Sequence, residues 1–298
     1  MESWIVYALL TPAIIAIANI LDKFIMSKKI ENVSAYYIIV GVVYVIITSL
    51  IFTYMGFPRL DLYYASLFMI MGLMLGACII IYFKAMQIDE VSRLIALNEV
   101  MPLFIAILAF LFLDERFTLI KYIGVIIIVV GGVIVGIDPH TRMIRKVFLY
   151  IMPYIILLSV LNILDKYMMD YFSFWEVYSL LAMIAGMIMI VFGIINNGLK
   201  EVWTIKGVVG FTVLSEVLTV SASLIYLKAL SLGPVTLVSS LSTIQPLYVL
   251  LYATILSVFF PSIIKEVLHK KDFSFKITGT VLITIGAILL TINMSRTT

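Results

Sequence analysis

Cysteine is almost absent: Cys78 stands alone in 298 residues, so no disulfide can close within the chain. Histidine is nearly as scarce. His140 and His269 are the only imidazoles and both fall in loops. Charge is short as well. Asp, Glu, Lys and Arg make up 12% of the chain, against about 25% in soluble domains. Apolar residues make up 63% and the mean hydropathy is +1.18. Such a chain cannot cover a water-facing surface, so its solvent is lipid. A net charge of +3 is too small to point to nucleic acid. No Gly-x-x-x-x-Gly-Lys loop occurs, which argues against direct use of ATP. No His-Glu-x-x-His helix or Gly-x-Ser-x-Gly turn occurs either, which argues against an intramembrane hydrolase. No cofactor, metal or enzymatic activity is expected.

What the chain does have is long apolar runs. Ten approach the roughly 20 residues that span a bilayer as a helix: about 4–22, 33–55, 62–83, 91–113, 118–137, 147–165, 175–195, 205–227, 235–260 and 277–293. Runs this long imply helices rather than barrel strands, because backbone polar groups in lipid must bond within the segment. Trp4, Trp175 and Trp203 open segments, as an interfacial aromatic belt would place them. The first run resembles a signal peptide at Ala16-Ile17-Ala18, but it is preceded by Glu2 rather than by basic residues. It is therefore expected to be a retained helix.

The chain also repeats itself. Asn19-Ile20-Leu21-Asp22-Lys23 recurs as Asn162-Ile163-Leu164-Asp165-Lys166. Tyr82-Phe83-Lys84-Ala85-Met86 recurs as Tyr226-Leu227-Lys228-Ala229-Leu230, and Pro102-Leu103 as Pro246-Leu247. Lys121, Gly124 and Gly131 match Lys276, Gly279 and Gly286 after a longer loop. The fold class is thus an all-α polytopic membrane protein with ten transmembrane helices. The first repeat is expected over 1–140, a basic linker over 138–146 and the second repeat over 147–298. Five helices per repeat is an odd number, so the second copy enters the membrane the other way up. Inverted repeats of this kind build secondary transporters that rock around a midplane site. Most of the 20 basic residues lie in loops away from the termini, and the positive-inside rule then places both termini outside the plasma membrane.

Asp114-Glu115-Arg116-Phe117-Thr118 follows the fourth segment, with Pro102 before it and Lys121, Tyr122, Gly124, Gly131 and Gly132 after it. This pattern resembles the end of the repeat in the drug/metabolite transporter superfamily, of the ten-helix EamA-like type. The resemblance covers essentially the whole chain. It implies a transporter with both termini in the cytoplasm, opposite to the charge distribution. The second half departs from the pattern: Phe260-Pro261 and a basic loop replace the acidic-basic turn.

Ionisable groups at mid-membrane cost about 2.5–3.5 kcal/mol on insertion scales, so each needs a reason. Groups present in both repeats suit the architecture; groups present in one suit an asymmetric task. Asp22, Asp165, Lys84 and Lys228 belong to the first class, as snorkelling or paired charges at helix ends or as gates at opposite faces. Asn19 and Asn162 lie one turn inward and suit either helix–helix glue or a cavity wall. Glu216 and Glu99 belong to the second class; the counterpart of Glu216 is Gly72. Ser215, Thr219 and Ser223 lie near Glu216. A carboxylate there is either a neutral hydrogen-bonding group or a site for a proton or an amine. Asn98 and Glu99 precede Pro102, as Ser242, Thr243 and Gln245 precede Pro246. Proline frees a carbonyl one turn back, and such broken helices are tolerated where they line a cavity. Arg93 suits either the interface or a substrate anion. Gly124, Gly131, Gly279 and Gly286 suit close helix contact, within the chain or in a dimer.

These residues describe a secondary active transporter of a small polar or amphipathic solute, an amino acid or amine, coupled to protons or to exchange. Glu216, Glu99, Asn98, Ser242, Thr243, Gln245, Asn19 and Asn162 are the candidate binding residues. The alternative on the same fold is an exchanger of phosphorylated or nucleotide-linked solutes, with Lys84, Lys228 and Arg93 on phosphate. A channel and a lipid flippase also fit the composition. The expected partners are the solute and the bilayer, with the chain a monomer or homodimer.

Overall fold

The computed structural model describes residues 3–27, 33–88, 94, 97–136, 148–202, 206–259 and 270–291, and no strand occurs among them. Their helices are α1 (Ser3–Ser27), α2 (Val33–Met55), α3 (Leu62–Ile88), α4 (Met101–Phe112), α5 (Leu119–Gly136) and α6 (Phe148–Met168). Next come α7 (Phe174–Ile195), the short α8 (Gly198–Val202), α9 (Lys206–Leu232), α10 (Val235–Ser242), α11 (Gln245–Phe259) and α12 (Lys270–Thr291). Six of them are long and apolar enough to cross a membrane: α1, α2, α3, α6, α7 and α9. The linker 138–146, Arg93, Trp203, His140 and His269 lie outside the described residues.

Two differences from the sequence expectation have local causes. The run 235–260 is not one helix but two, α10 and α11, separated at Thr243–Ile244. Pro246 lacks the N–H that would bond back across the break, and three-residue bonds replace the helical ladder. The Ile244 N–H donates to Leu241 O at 3.2 Å and the Leu247 N–H to Ile244 O at 2.9 Å. The first half breaks in the same way before Pro102: Val100 N–H donates to Leu97 O at 3.2 Å and Leu103 N–H to Val100 O at 3.1 Å. The second difference is Trp4. It is buried against Gly233, where an added Cβ would lie 2.6 Å from the indole, so it does not serve the interfacial belt.

Helix α1 packs on α9, α3 on α6, α2 on α7, and α5 on α12. Helix α4 packs on α6 and α10, while α1 also meets α10 and α11. Glycines set the two closest crossings. A Cβ on Gly41 would lie 2.6 Å from Gly186 O, and one on Gly186 would lie 2.9 Å from Gly41 O. Between α5 and α12, a Cβ on Gly131 would meet Gly279 O at 2.8 Å, and one on Gly286 would meet Gly124 O at 2.8 Å. The four glycines singled out in the sequence thus face one another inside one chain. Backbone cannot yield as a side chain can, so Gly131→Val is expected to cost about 1–3 kcal/mol. In detergent its thermal midpoint should fall by roughly 2–10 °C. Gly207→Ala, with nothing within 4 Å of the new methyl group, should leave it unchanged.

Candidate functional site

A cavity of about 230 Å³ lies between the two halves. It is lined by Ile15, Asn19, Asp22, Val40, Tyr44, Ile79, Tyr82, Phe83, Asn98, Glu99, Tyr154, Glu216, Thr219 and Gln245. Three of these are carboxylic acids and none is basic. The lining positions fall in the C-terminal halves of α1 and α3, in the N-terminal halves of α2 and α6, and up to the midpoint of α9. In an alternating helix bundle all of these regions lie toward one face.

Asp22 and Glu216 meet at one end of the cavity through Tyr36 of α2. The Tyr36 hydroxyl is 3.2 Å from Asp22 Oδ1 and 3.4 Å from Glu216 Oε1. Both distances are long for O–H···O bonds, which centre near 2.7–2.8 Å. One hydroxyl proton serves one acceptor at a time, so Tyr36 bridges the pair loosely. Ser215 binds Asp22 more firmly, donating to Oδ1 at 2.7 Å. Tyr44 lies against the Glu216 carboxylate. Phe83 packs edge-on to Tyr36 at 4.7 Å between ring centroids, and Tyr82 stacks on Tyr154 at 5.1 Å. The lining therefore combines carboxylates with aromatic faces, the two groups that attract organic cations.

Glu99 stands apart. It sits in the break before α4, is 4% exposed, and makes no hydrogen bond or ion pair with the other described residues. Gly132 of α5 makes room for it: a Cβ there would lie 3.1 Å from Glu99 Cβ and Cγ. Beside it the Asn98 Oδ1 is buried without a partner. Among the described residues no three His, Cys, Asp or Glu side chains gather closely enough to hold a metal ion, so Glu99 does not join the Asp22–Glu216 pair.

The repeated residues divide between the two copies. Asn19 lines the cavity. Asn162 is held elsewhere, accepting from the Tyr226 hydroxyl at 2.6 Å and donating to Leu158 O at 2.8 Å. Asp22 has its network, whereas the Asp165 Oδ1 is buried without a partner near an apolar cluster of Phe68, Met71, Leu161 and Met168. Lys84 lies over the Phe192 ring at 5.3 Å and Lys228 over the Phe174 ring at 5.0 Å; neither lines the cavity. Gln245 does line it. Ser242 and Thr243 do not, because their hydroxyls donate to carbonyls of their own helix, Val238 O at 3.1 Å and Ser240 O at 2.7 Å.

At the opposite helix ends a polar clasp was not read from the sequence. The Lys166 ammonium donates to Leu230 O at 2.6 Å and Gly233 O at 2.9 Å, closing the C-terminus of α9. The Glu115 carboxylate accepts from the N–H groups of Val235 at 2.7 Å and Thr236 at 3.2 Å, closing the N-terminus of α10. Each charge sits where the helix dipole favours it. Glu115 and Lys166 also lie within electrostatic range of each other. Together with Trp4 they hold the turn between α9 and α10. Glu115 was visible in the sequence only as part of the acidic-basic turn; its partners lie some hundred residues away and left no local signal.

Residues 2–137 match the EamA-like transporter family. No curated protein matches the chain. Among solved structures 29 chains match. One of them, described only as the crystal structure of a protein, aligns over 97% of this chain and 98% of its own. Its TM-score is 0.69 at 13% identity, which shows a shared fold and nothing of substrate. With its long apolar helices the chain is a multi-pass membrane protein, and its residues 2–137 carry the match to the EamA-like transporter family of the drug/metabolite transporter superfamily.

Proposed function

We propose that the protein is a secondary active transporter of a small cationic or zwitterionic solute, an amine or amino acid, bound in the cavity between α1, α2, α3 and α9. The observation that carries this reading is the cavity lining itself: Asp22, Glu99 and Glu216, with no basic side chain among the described lining residues. An uncompensated carboxylate at this depth requires a cation or a proton. Two carboxyl groups brought together on one Tyr36 hydroxyl support proton or exchange coupling, since like charges this close repel unless a proton or a cation joins them. Phosphate held by Lys84 and Lys228 is disfavoured, because both pack on aromatic rings and do not line the cavity.

The helices group as ten spans in two inverted halves, 1–140 and 147–298, that rock around the cavity. Support comes from the pairings, which keep their form when the halves are exchanged: α1 on α9 becomes α6 on α3, while α2 on α7 and α5 on α12 map onto themselves. The contact of Gly124 with Gly286 likewise maps onto that of Gly279 with Gly131. Cavity on one side and clasp on the other support alternating access, with the clasped face shut. The single-copy glutamates and the asymmetric use of Asn19 and Asp22 break this symmetry where an asymmetric solute would need it.

A thermal-shift screen of the purified protein tests the reading. Ligands that bind only the folded state raise the midpoint, by about 2.7 kcal/mol of stabilisation at a hundredfold excess over Kd. Aliphatic amines or amino acids should stabilise the protein and sugar phosphates should not. Stabilisation by phosphates alone would overturn it.

A further inference from the structure

We infer that the solute carries two cationic centres, as in a short α,ω-diamine, with one ammonium held by the Asp22–Glu216 pair and the other by Glu99. The inference deepens the proposed function and rests on it. Two separate observations carry it. The first is the pair, already partly satisfied by Tyr36 and Ser215, which forms one anionic end. The second is Glu99, 4% exposed, facing the cavity and bonded to no other group among the described residues. An unpartnered carboxylate beside an unpartnered buried Asn98 oxygen is a ready acceptor site for an ammonium with several N–H donors. The three acids do not converge on one point, so a single monovalent amine satisfies one end and leaves the other exposed to the same desolvation. The same lining carries apolar and aromatic side chains, Ile15, Ile79, Tyr82 and Tyr154, which suit a methylene chain. The volume of about 230 Å³ falls below the roughly 300–1,000 Å³ usual for small-molecule pockets and confines the solute to a compact one.

The test is a ladder of diamines, 1,3-diaminopropane to 1,6-diaminohexane, measured against the monoamines of equal chain length on the purified wild-type protein and on Glu99→Gln. The expected result is one preferred diamine length, bound roughly tenfold to a hundredfold tighter than its monoamine. Glu99→Gln should erase that advantage. Equal affinity of wild type for diamine and monoamine overturns the two-centre inference while leaving an amine transporter intact. A diamine advantage that survives in Glu99→Gln overturns the role given to Glu99. Binding of no amine at all takes down the proposed function as well. If Glu99→Gln does not fold, the length preference of the wild-type protein decides alone.

Discussion

Glu216→Gln should reduce amine uptake into proteoliposomes by roughly thirtyfold or more, with little change in the amount of folded protein. The substitution keeps the shape of the side chain and removes its charge. In wild type that charge shares one hydroxyl with Asp22 and faces the cavity. Removing one partner of a buried charged pair costs about 2–5 kcal/mol, and each 1.4 kcal/mol is a factor of ten. Asp165→Asn is the matched control. Asp165 occupies the same place in the repeated phrase, but its Oδ1 meets no partner and it does not line the cavity. The exchange of one oxygen for an amide should leave uptake within about threefold, because no hydrogen bond to that atom is lost. Equal losses in both variants would mean that the two aspartates act as a symmetric pair of gates and that Glu216 is not the binding group. Labelled amine flux, normalised to reconstituted protein, separates these results.

The architecture was readable because it depends on local facts. Apolar runs give helices, prolines at 102 and 246 give two matching breaks, and the glycines of α5 and α12 give a close crossing. Each of these follows from backbone chemistry that a residue carries with it. Asymmetry was harder. Asn19 and Asn162 sit in identical phrases, yet one lines the cavity and the other is locked to Tyr226. The cause is distant in sequence. Glu216 of α9 meets Tyr36 of α2, whereas its counterpart Gly72 packs against Ile184 of α7, and Ser215 stands where the other half has Met71. Gly41 and Gly186 lie against each other's carbonyl oxygens, which puts Tyr36 in register with Leu181. One aspartate therefore meets a serine and a tyrosine that it shares with a glutamate, and the other has an oxygen that meets no partner. Glu216 and Glu99 were legible as single-copy charges in lipid. Asp22 looked architectural because its copy disguised it, and its membership of the site became clear only once α2 and α9 were packed against it.

Lys166→Met should open the clasped face, and this is the second large effect expected. The ammonium joins two carbonyls of the α9–α10 turn, and hydrogen bonds to charged groups contribute about 1.5–3 kcal/mol each. Methionine keeps the apolar stem but leaves both oxygens unserved. Ordering a long side chain offsets part of the gain in wild type, so a net shift of about 2–3 kcal/mol is reasonable. On a two-state equilibrium that is on the order of thirtyfold to a hundredfold in population. The readout is a cysteine placed at Thr219, which lines the cavity; the native Cys78 is buried and adds little background. A membrane-impermeant thiol reagent applied from the side of the termini should label Thr219→Cys slowly and the double variant with Lys166→Met at least tenfold faster. Glu115→Gln should act in the same direction but less: its single amide oxygen keeps one of the two N–H bonds now split between the carboxylate oxygens, the amide NH2 cannot accept the other, and the charge at the helix N-terminus is lost, whereas Lys166→Met loses both of its bonds. That order, lysine before glutamate, discriminates a clasp from general loosening: a merely destabilised protein would label faster from both sides of the membrane. Unchanged labelling from the terminal side in Lys166→Met would show that closure of this face rests on apolar packing around Trp4 and Gly233 instead.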